Sequence, residues 1–366
     1  MKKVLIFSAS TGGGHNIAAE SLREHFEASG FEATTYDAFK NTNAILNNVI
    51  SKGYEKMVKI TPETYGRLYR AANNETLSHY IIALITDICE KRLIKIILYE
   101  KPDLILVTHP LVTNVLGYLK GENEFSIPII SIVTDYMIHR AYLNKNVNAY
   151  IVGSEYTKQT MTEKGVPENK IFSYGIPVRR SFLDYNSEIK KDYDVDLSVL
   201  LMGGSMGVSQ VEKALSSLLQ TKHYLKIIVV CGKNEKLKKR VEKIIQGESS
   251  KKIVVYGFVD KIPVLMDMAD VIITKPGGLT TTEAIIKNIP MIIPYYIPGQ
   301  EEENADFLEE TGMAIKVDNI SNIKNVVDYL VKNKDILDNM AKNMSEISKA
   351  QSMEKIIKLG HELINK

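Results

Sequence analysis

Two doubly wound α/β domains are what this 366-residue sequence predicts, and three observations predict them. First, a buried strand, a glycine-rich turn and a helix pattern follow one another at two places. One is the run 4–7, then Thr11-Gly12-Gly13-Gly14-His15, then a helix through Phe26; the other is 199–202, then Gly203-Gly204-Ser205-Met206-Gly207, then a helix through Leu219. A Rossmann-like domain begins in this way. Second, after each start short apolar runs alternate with helical patterns, which implies parallel sheets covered on both faces. Third, the chain is long for a single hydrophobic core.

The elements follow in order. Two lysines and an apolar run at the N-terminus resemble a secretory leader, but the run stops at Phe7 in a polar glycine turn. That is too short for a leader, so it reads as the first strand. The next strand is expected at 32–36. The segment 40–100 is too long for a simple crossover. Its apolar residues Leu46, Val49, Ile50, Tyr54, Met57 and Val58, then Ile81, Ile82, Leu84, Ile85 and Ile88, recur at helical spacing and predict extra helices. Further strands are expected at 103–107, 128–133, 149–152 and 171–174, with a join near 175–194. The second half offers strands at 226–231, 253–256, 271–274, 291–294 and 313–317, and 320–366 is helical. Domain limits are expected at 1–178 and 179–351, with the C-terminal helix 352–366 completing the first domain.

Composition narrows the function. The chain is 45% hydrophobic and 25% charged, ordinary for a globular protein. A net charge of +2 argues against charge-driven nucleic-acid binding. No apolar run approaches the ~20 residues of a membrane span. Cys89 and Cys231 are far apart and lack metal-ligand spacing, which predicts a reducing cytosol.

The most informative stretch is 274-TKPGGLTTTEAIIKNIPMIIPYYIPGQEEENADF-307. A strand ends on Pro276-Gly277-Gly278 and a helix opens with Thr280, Thr281, Thr282 and Glu283. A second strand then turns at Pro298-Gly299 into a helix carrying Gln300, Glu301 and Asn304. Helix N-termini offer unpaired N–H groups and partial positive charge, which suits a diphosphate. Glu283, one turn in, would repel phosphate but suits a vicinal diol. Diphosphate plus ribose describes a nucleotide, and Gln300, Glu301 and Asn304 could read the hydroxyls of an attached sugar.

Other positions have a functional and a plain reading. Gly13 and Gly14 allow a ligand close to the backbone, with His15 on the first helical turn. The plain reading is a tight turn and a surface histidine, and a dinucleotide fingerprint would need Asp37 and a glycine spacing that is absent. Asp135, after the strand at 128–133, is a general base, the orienter of a histidine such as His139, or an N-cap. Thr108-His109-Pro110 is a weaker case of the same kind. Gly203, Gly204 and Ser205 form a phosphate-holding nest or a plain turn. Asp194-Val195-Asp196 imitates a metal motif at the wrong end of a strand. The basic run 233–243 reads as a solvated helix face.

Taken together, these motifs resemble glycosyltransferase family 28, in its branch of monogalactosyldiacylglycerol synthases and processive diacylglycerol β-glucosyltransferases. The resemblance is carried by STGGGH at 10–15, TD and His139 at 134–139, LMGGS at 201–205, KPGG-x-T-x-x-E-A at 275–284 and PGQE-x-x-N-A at 298–305. It implies the GT-B fold: two Rossmann-like doubly wound domains facing across a cleft. It implies that Glu283 binds ribose, that Gly277, Gly278, Leu279 and Thr280 meet the diphosphate, that Lys275 belongs to the same nucleotide-sugar site, and that Phe258 and Val259 lie against uracil. It further implies that Gln300 and Glu301 hold the hexose with Asn304 nearby, and that His15 or Asp135 is the catalytic base. The family usually carries a tryptophan soon after Asp135; this chain has Ala141-Tyr142 there, a departure that bears on the acceptor rather than the nucleotide.

What the resemblance implies is inverting transfer of glucose or galactose from a UDP-hexose to diacylglycerol or a glycosyl-diacylglycerol. No metal or cofactor is expected, and no nucleic acid. The acceptor requires peripheral contact with an anionic membrane surface, on the cytoplasmic face of a bacterial cell membrane. The segment 40–100, with Lys52, Lys56, Lys59, Arg67 and Arg70, is the candidate for that contact. Two rivals are transfer of N-acetylglucosamine to a lipid-linked peptidoglycan precursor and non-catalytic sensing of a UDP-sugar.

Overall fold

The computed structural model describes residues 1–10, 13–40, 61–183, 194–203 and 208–366. These divide into two compact units, Met1–Arg180 with Ile297–Gln300 and Ala350–Lys366, and Ser181–Tyr296 with Glu301–Lys349.

Six parallel strands build the first unit: β1 (Lys3–Ser8), β2 (Glu32–Asp37), β3 (Leu104–Val107), β4 (Ile129–Ile132), β5 (Ala149–Ile151) and β6 (Ile171–Phe172). Their order is β2-β1-β3-β4-β5-β6. Val4 of β1 lies beside Ala33 on one side and Leu104 on the other. Growth of the sheet therefore reverses at β1, and the carboxyl ends of β1 and β3 flank the crevice where open α/β sheets hold ligands.

Strand side chains alternate between faces. Leu5, Phe7, Ile105 and Val107 enter one core layer, while Val4, Ile6, Leu104 and Leu106 enter the other. Helix Glu75–Glu100 covers the first layer with Ile85, Cys89, Leu93 and Ile97, each four residues after the last. Leu84, one of the apolar residues at helical spacing, is 63% exposed; directly preceding Ile85, it projects from a different side of the helix. The apolar residues from Leu46 to Val58 lie outside the described residues. Helices Gly13–Ala28 and Met353–Ile364 close the second layer, the latter through Ile356 and Leu359. A Cβ on Gly360 would meet Leu104 at 3.1 Å and Phe26 at 3.2 Å, so this helix backbone lies close against both.

The second unit has β7 (Leu197–Met202), β8 (Leu225–Val230), β9 (Lys252–Tyr256), β10 (Val271–Ile273), β11 (Met291–Ile293) and β12 (Ala314–Lys316). They are parallel, in the order β12-β11-β10-β7-β8-β9. The first strand thus has its two successors on one side and the remaining three on the other, the mononucleotide-binding arrangement, with its switch point between β7 and β10. Leu197, Val199, Leu201, Val271 and Ile273 meet in one core with Val327 and Leu330 of helix Ile323–Lys332. In both units the strands expected from the sequence occur, with limits shifted by a residue or two.

Candidate functional site

In the first unit, the loop leaving β1 is tied down by short polar side chains. Ser8 Oγ donates to Asn16 Oδ1 (2.6 Å), and Asn16 Nδ2 donates to Ser10 Oγ (3.1 Å). Asp37, ending β2, accepts from Ser10 N (3.1 Å) and from Phe39 N and Lys40 N (2.9 Å each). Asp37 therefore shapes this loop. Gly13 and Gly14 form the first helical turn, and a Cβ on Gly13 would meet nothing within 4 Å.

His15 follows on that turn. Its Nδ1 lies 2.7 Å from the Thr108 carbonyl and 3.0 Å from Thr134 Oγ1. Thr108 Oγ1 donates back to the His15 carbonyl (3.0 Å). The ring of His109 stands edge-on to that of His15, with centroids 4.8 Å apart. The ends of β1, β3 and β4 thus meet on one histidine. Desolvation lowers its pKa to about 4, against the raising effect of the Thr108 carbonyl. His109 is buried and lowered too, by desolvation first and then by its neighbour His15.

Asp135 is buried, and its Oδ2 accepts from Gln300 Nε2 at 2.6 Å. The loop that brings Gln300 there belongs to the first unit. Its Gly299 has φ 97°, a left-handed conformation, and a Cβ there would lie 2.8 Å from the Tyr69 ring. Only glycine meets both conditions. His139 has a structural position. Its Nδ1 accepts from Ala141 N (3.1 Å), so its Nε2 carries the proton and donates to the Tyr69 carbonyl (3.1 Å).

In the second unit, three turns gather at the carboxyl ends of β7, β10 and β11. Gly203 follows β7 and accepts through its carbonyl from Tyr295 Oη (3.0 Å); Gly204 and Ser205 lie outside the described residues. After β10, Gly277 caps helix Gly278–Ile286, and Leu279 and Thr280 form its half-buried first turn. Glu283, on the next turn, is only 4% exposed. Asn304, fully buried on helix Gln300–Glu310, donates to the Pro276 carbonyl (3.1 Å), fixing the turn's shape. Lys275 pairs with Glu301, and a Cβ on Gly277 would lie 3.5 Å from the Lys275 Nζ. Phe258 and Val259 follow β9; Phe258 is exposed, with Lys233 Nζ 5.1 Å from its ring centroid.

Sequence reasoning missed Tyr295, and it read Tyr142 only as standing where the family usually carries tryptophan. Tyr295 carried a signal, being the first polar residue past β11 in a tyrosine pair. Burial raises its phenol pKa, with the charge of Glu301 adding to the effect.

Fold comparison defines the class. MurG of Acinetobacter baumannii superposes with a TM-score of 0.70 at 16% identity, covering 99% of this chain and 100% of that one. The UDP co-structure of Staphylococcus aureus MnaA gives 0.62 at 17%, covering 100% and 98%. The chain has the GT-B fold. The family description "Monogalactosyldiacylglycerol (MGDG) synthase" matches residues 15–178, and "Glycosyltransferase family 28 C-terminal domain" matches 198–359. The processive diacylglycerol beta-glucosyltransferase of Bacillus subtilis is 32% identical over 362 residues, 97% of this chain and 94% of that protein. Its Bacillus cytotoxicus counterpart is 33% identical over 321 residues, 86% and 82%. The chain belongs to this glycosyltransferase family 28 group of glycolipid-synthesising enzymes.

Proposed function

We propose that this glycosyltransferase moves a hexose from a UDP-sugar to the hydroxyl of diacylglycerol or a glycosyl-diacylglycerol, with inversion. The observation that carries the nucleotide reading is the switch point of the second sheet. There the open N-terminus of helix Gly278–Ile286 lies one turn from the buried carboxylate of Glu283, a cationic end for diphosphate beside an acceptor for ribose hydroxyls. Lys275, Gly277, Gly278, Leu279 and Thr280 bind the diphosphate, and Gly203, Gly204 and Ser205 are assigned to the same group. Phe258 and Val259 meet uracil, and Gln300, Glu301 and Asn304 serve the hexose. The names of the relatives support glucose as the hexose and diacylglycerol as its acceptor.

His15 is the base. The Thr108 carbonyl can only accept, so Nδ1 carries the hydrogen and Nε2 keeps its lone pair. Nε2 takes the hydroxyl proton as the acceptor oxygen bonds to the anomeric carbon and the bond to UDP breaks. Backbone N–H groups stabilise the departing diphosphate anion without a proton. Asp135, with Gln300, orients the acceptor. The donor needs no metal in this scheme, and Gly13, where a Cβ would meet nothing within 4 Å, leaves room close to His15.

Membrane contact is peripheral, at the cytoplasmic face of the cell membrane. Among the described residues no helix is long and apolar enough to cross a membrane. Supporting the contact, helix Glu75–Glu100 exposes Leu84, Leu98 and Tyr99 together with Lys91 and Lys95.

The test is product analysis by mass spectrometry with diacylglycerol vesicles and UDP-glucose, UDP-galactose or UDP-N-acetylglucosamine. Hexosyl-diacylglycerol is expected; transfer of N-acetylglucosamine alone, or no lipid product, would refute the reading. His15→Ala should lower kcat by ~10²–10⁴-fold, the range for a lost general base, and Asp135→Ala should raise the KM for the lipid acceptor. Glu283→Ala should weaken UDP binding by calorimetry, and unchanged affinity removes the ribose role.

A further inference from the structure

The Nδ1 of His15 has two oxygen neighbours, and only one of them needs its hydrogen. The Thr108 carbonyl at 2.7 Å has no proton to give, so the hydrogen lies between Nδ1 and that oxygen. Thr134 Oγ1, at 3.0 Å from the same nitrogen, cannot donate to it and instead presents a lone pair. Its own hydrogen is then available to Tyr142 Oη, also 3.0 Å away. The Thr134 backbone N–H reaches the same Tyr142 oxygen at 3.3 Å, so the phenol holds Thr134 by both its main chain and its side chain.

Tyr142 is well placed for this task. It is buried in the first core layer, at the end of the short turn Arg140–Tyr142 that His139 caps. Burial and the charge of Asp135 both keep its phenol protonated.

We propose that Thr134 and Tyr142 are positioning residues: with the Nδ1–H tautomer set by the Thr108 carbonyl, together they hold the His15 ring in the orientation that leaves Nε2 to take the acceptor's proton. This rests on His15 being the base. The chain of hydroxyls has a plain reason to exist. A histidine held at Nδ1 by one acceptor alone can still tilt its ring about that contact, and this moves the basic nitrogen from its place. Two oxygens around one N–H narrow that freedom more than one does. The third member, Tyr142, stops Thr134 from turning its hydroxyl hydrogen towards the imidazole.

The experiment uses the full chain with four substitutions, Thr134→Val, Thr134→Ser, Tyr142→Phe and His15→Ala. Turnover is measured with UDP-glucose and diacylglycerol vesicles, and imidazole tautomers are read by long-range ¹⁵N–¹H correlation. Thr134→Val and Tyr142→Phe should each lower kcat about 3- to 10-fold, the range of one hydrogen bond, with the KM for UDP-glucose unchanged. Thr134→Ser should restore turnover. Because the phenol acts through Thr134, the double variant should lose no more than Thr134→Val alone. The spectra should show the Nδ1–H tautomer in the parent protein and in Thr134→Val alike, because the Thr108 carbonyl remains, with broader imidazole signals in the variant from a less constrained ring. Losses that multiply in the double variant, or an Nε2–H tautomer in the parent, overturn the proposal. Near-parental turnover in His15→Ala would instead remove His15 as the base, while the spectra decide the tautomer question independently of activity.

Discussion

At the residue scale, the proposed mechanism turns on one half-buried imidazole, that of His15. With a pKa of about 4, His15 is neutral through the physiological range. It needs no carboxylate to fix its tautomer, because a backbone carbonyl does so. A neutral imidazole is a weak base, and its value here is one of placement and constant availability. One consequence is acid sensitivity. An unfolded histidine titrates near 6.5, so the folded value lies below the unfolded one. The stability gained from a neutral His15 is therefore complete above about pH 6.5 and is lost as the pH falls through about 4. His109 is shifted the same way and adds to it. Melting temperature followed from pH 7.5 to 4.5 should fall less steeply in His15→Gln than in the parent. Identical slopes would show that the ring is equally hydrated in both states. The kcat profile should show no acid limb from His15 above about pH 5.

Elements impose their own constraints. Helix Glu75–Glu100 is apolar on more than one side, with Ile85, Cys89, Leu93 and Ile97 committed to the core and Leu98 and Tyr99 turned outward, Tyr99 at 80% exposure. Large exposed apolar side chains beside lysines suit a lipid surface, where ring and chain enter the interface and the cations meet headgroups. Replacing both Leu98 and Tyr99 by Glu should reduce flotation with anionic vesicles while leaving UDP binding intact. Unaltered flotation would place the membrane contact elsewhere on the chain. A different element, helix Met353–Ile364, depends on a small residue. Gly360 abuts Leu104 and Phe26 at 3.1 and 3.2 Å, so Gly360→Val must lift the helix or displace the sheet. A cost of about 1–3 kcal/mol is expected from overpacking, read as a lower melting temperature. A change to Val without effect would mean the helix shifts freely on the sheet.

For the whole molecule, the expectation concerns ligand linkage. If UDP binds the native second unit and not the unfolded chain, then UDP at about 100 times its Kd stabilises by ~2.7 kcal/mol. Hydrogen exchange should show where. Protection is expected around Gly203, along 275–283 and at Tyr295, with the His15 region unchanged when UDP is added without sugar. Protection confined to the first unit would reverse the assignment of donor and acceptor roles.

Much of this protein is legible in its sequence. Buried parallel strands are written as unbroken apolar runs and their turns as glycines, so the strands from Lys3–Ser8 to Ala314–Lys316 could be placed from hydrophobic pattern alone. The motifs at 275–284 and 298–305 marked the donor-site candidates by residue type and spacing, and the family followed from them. Tertiary structure decided what pattern cannot carry. Nothing local in Leu84 distinguishes an outward-facing leucine from its buried neighbours Ile82 and Ile85. Nothing local in Thr108 and Thr134 says that they converge on His15, because those partners lie 93 and 119 residues away in the chain. A hydrogen bond is specified by position in space, and the strand order that brings β1, β3 and β4 side by side sets those positions. Periodicity reports which face a residue occupies; only the folded sheet determines which residues share it.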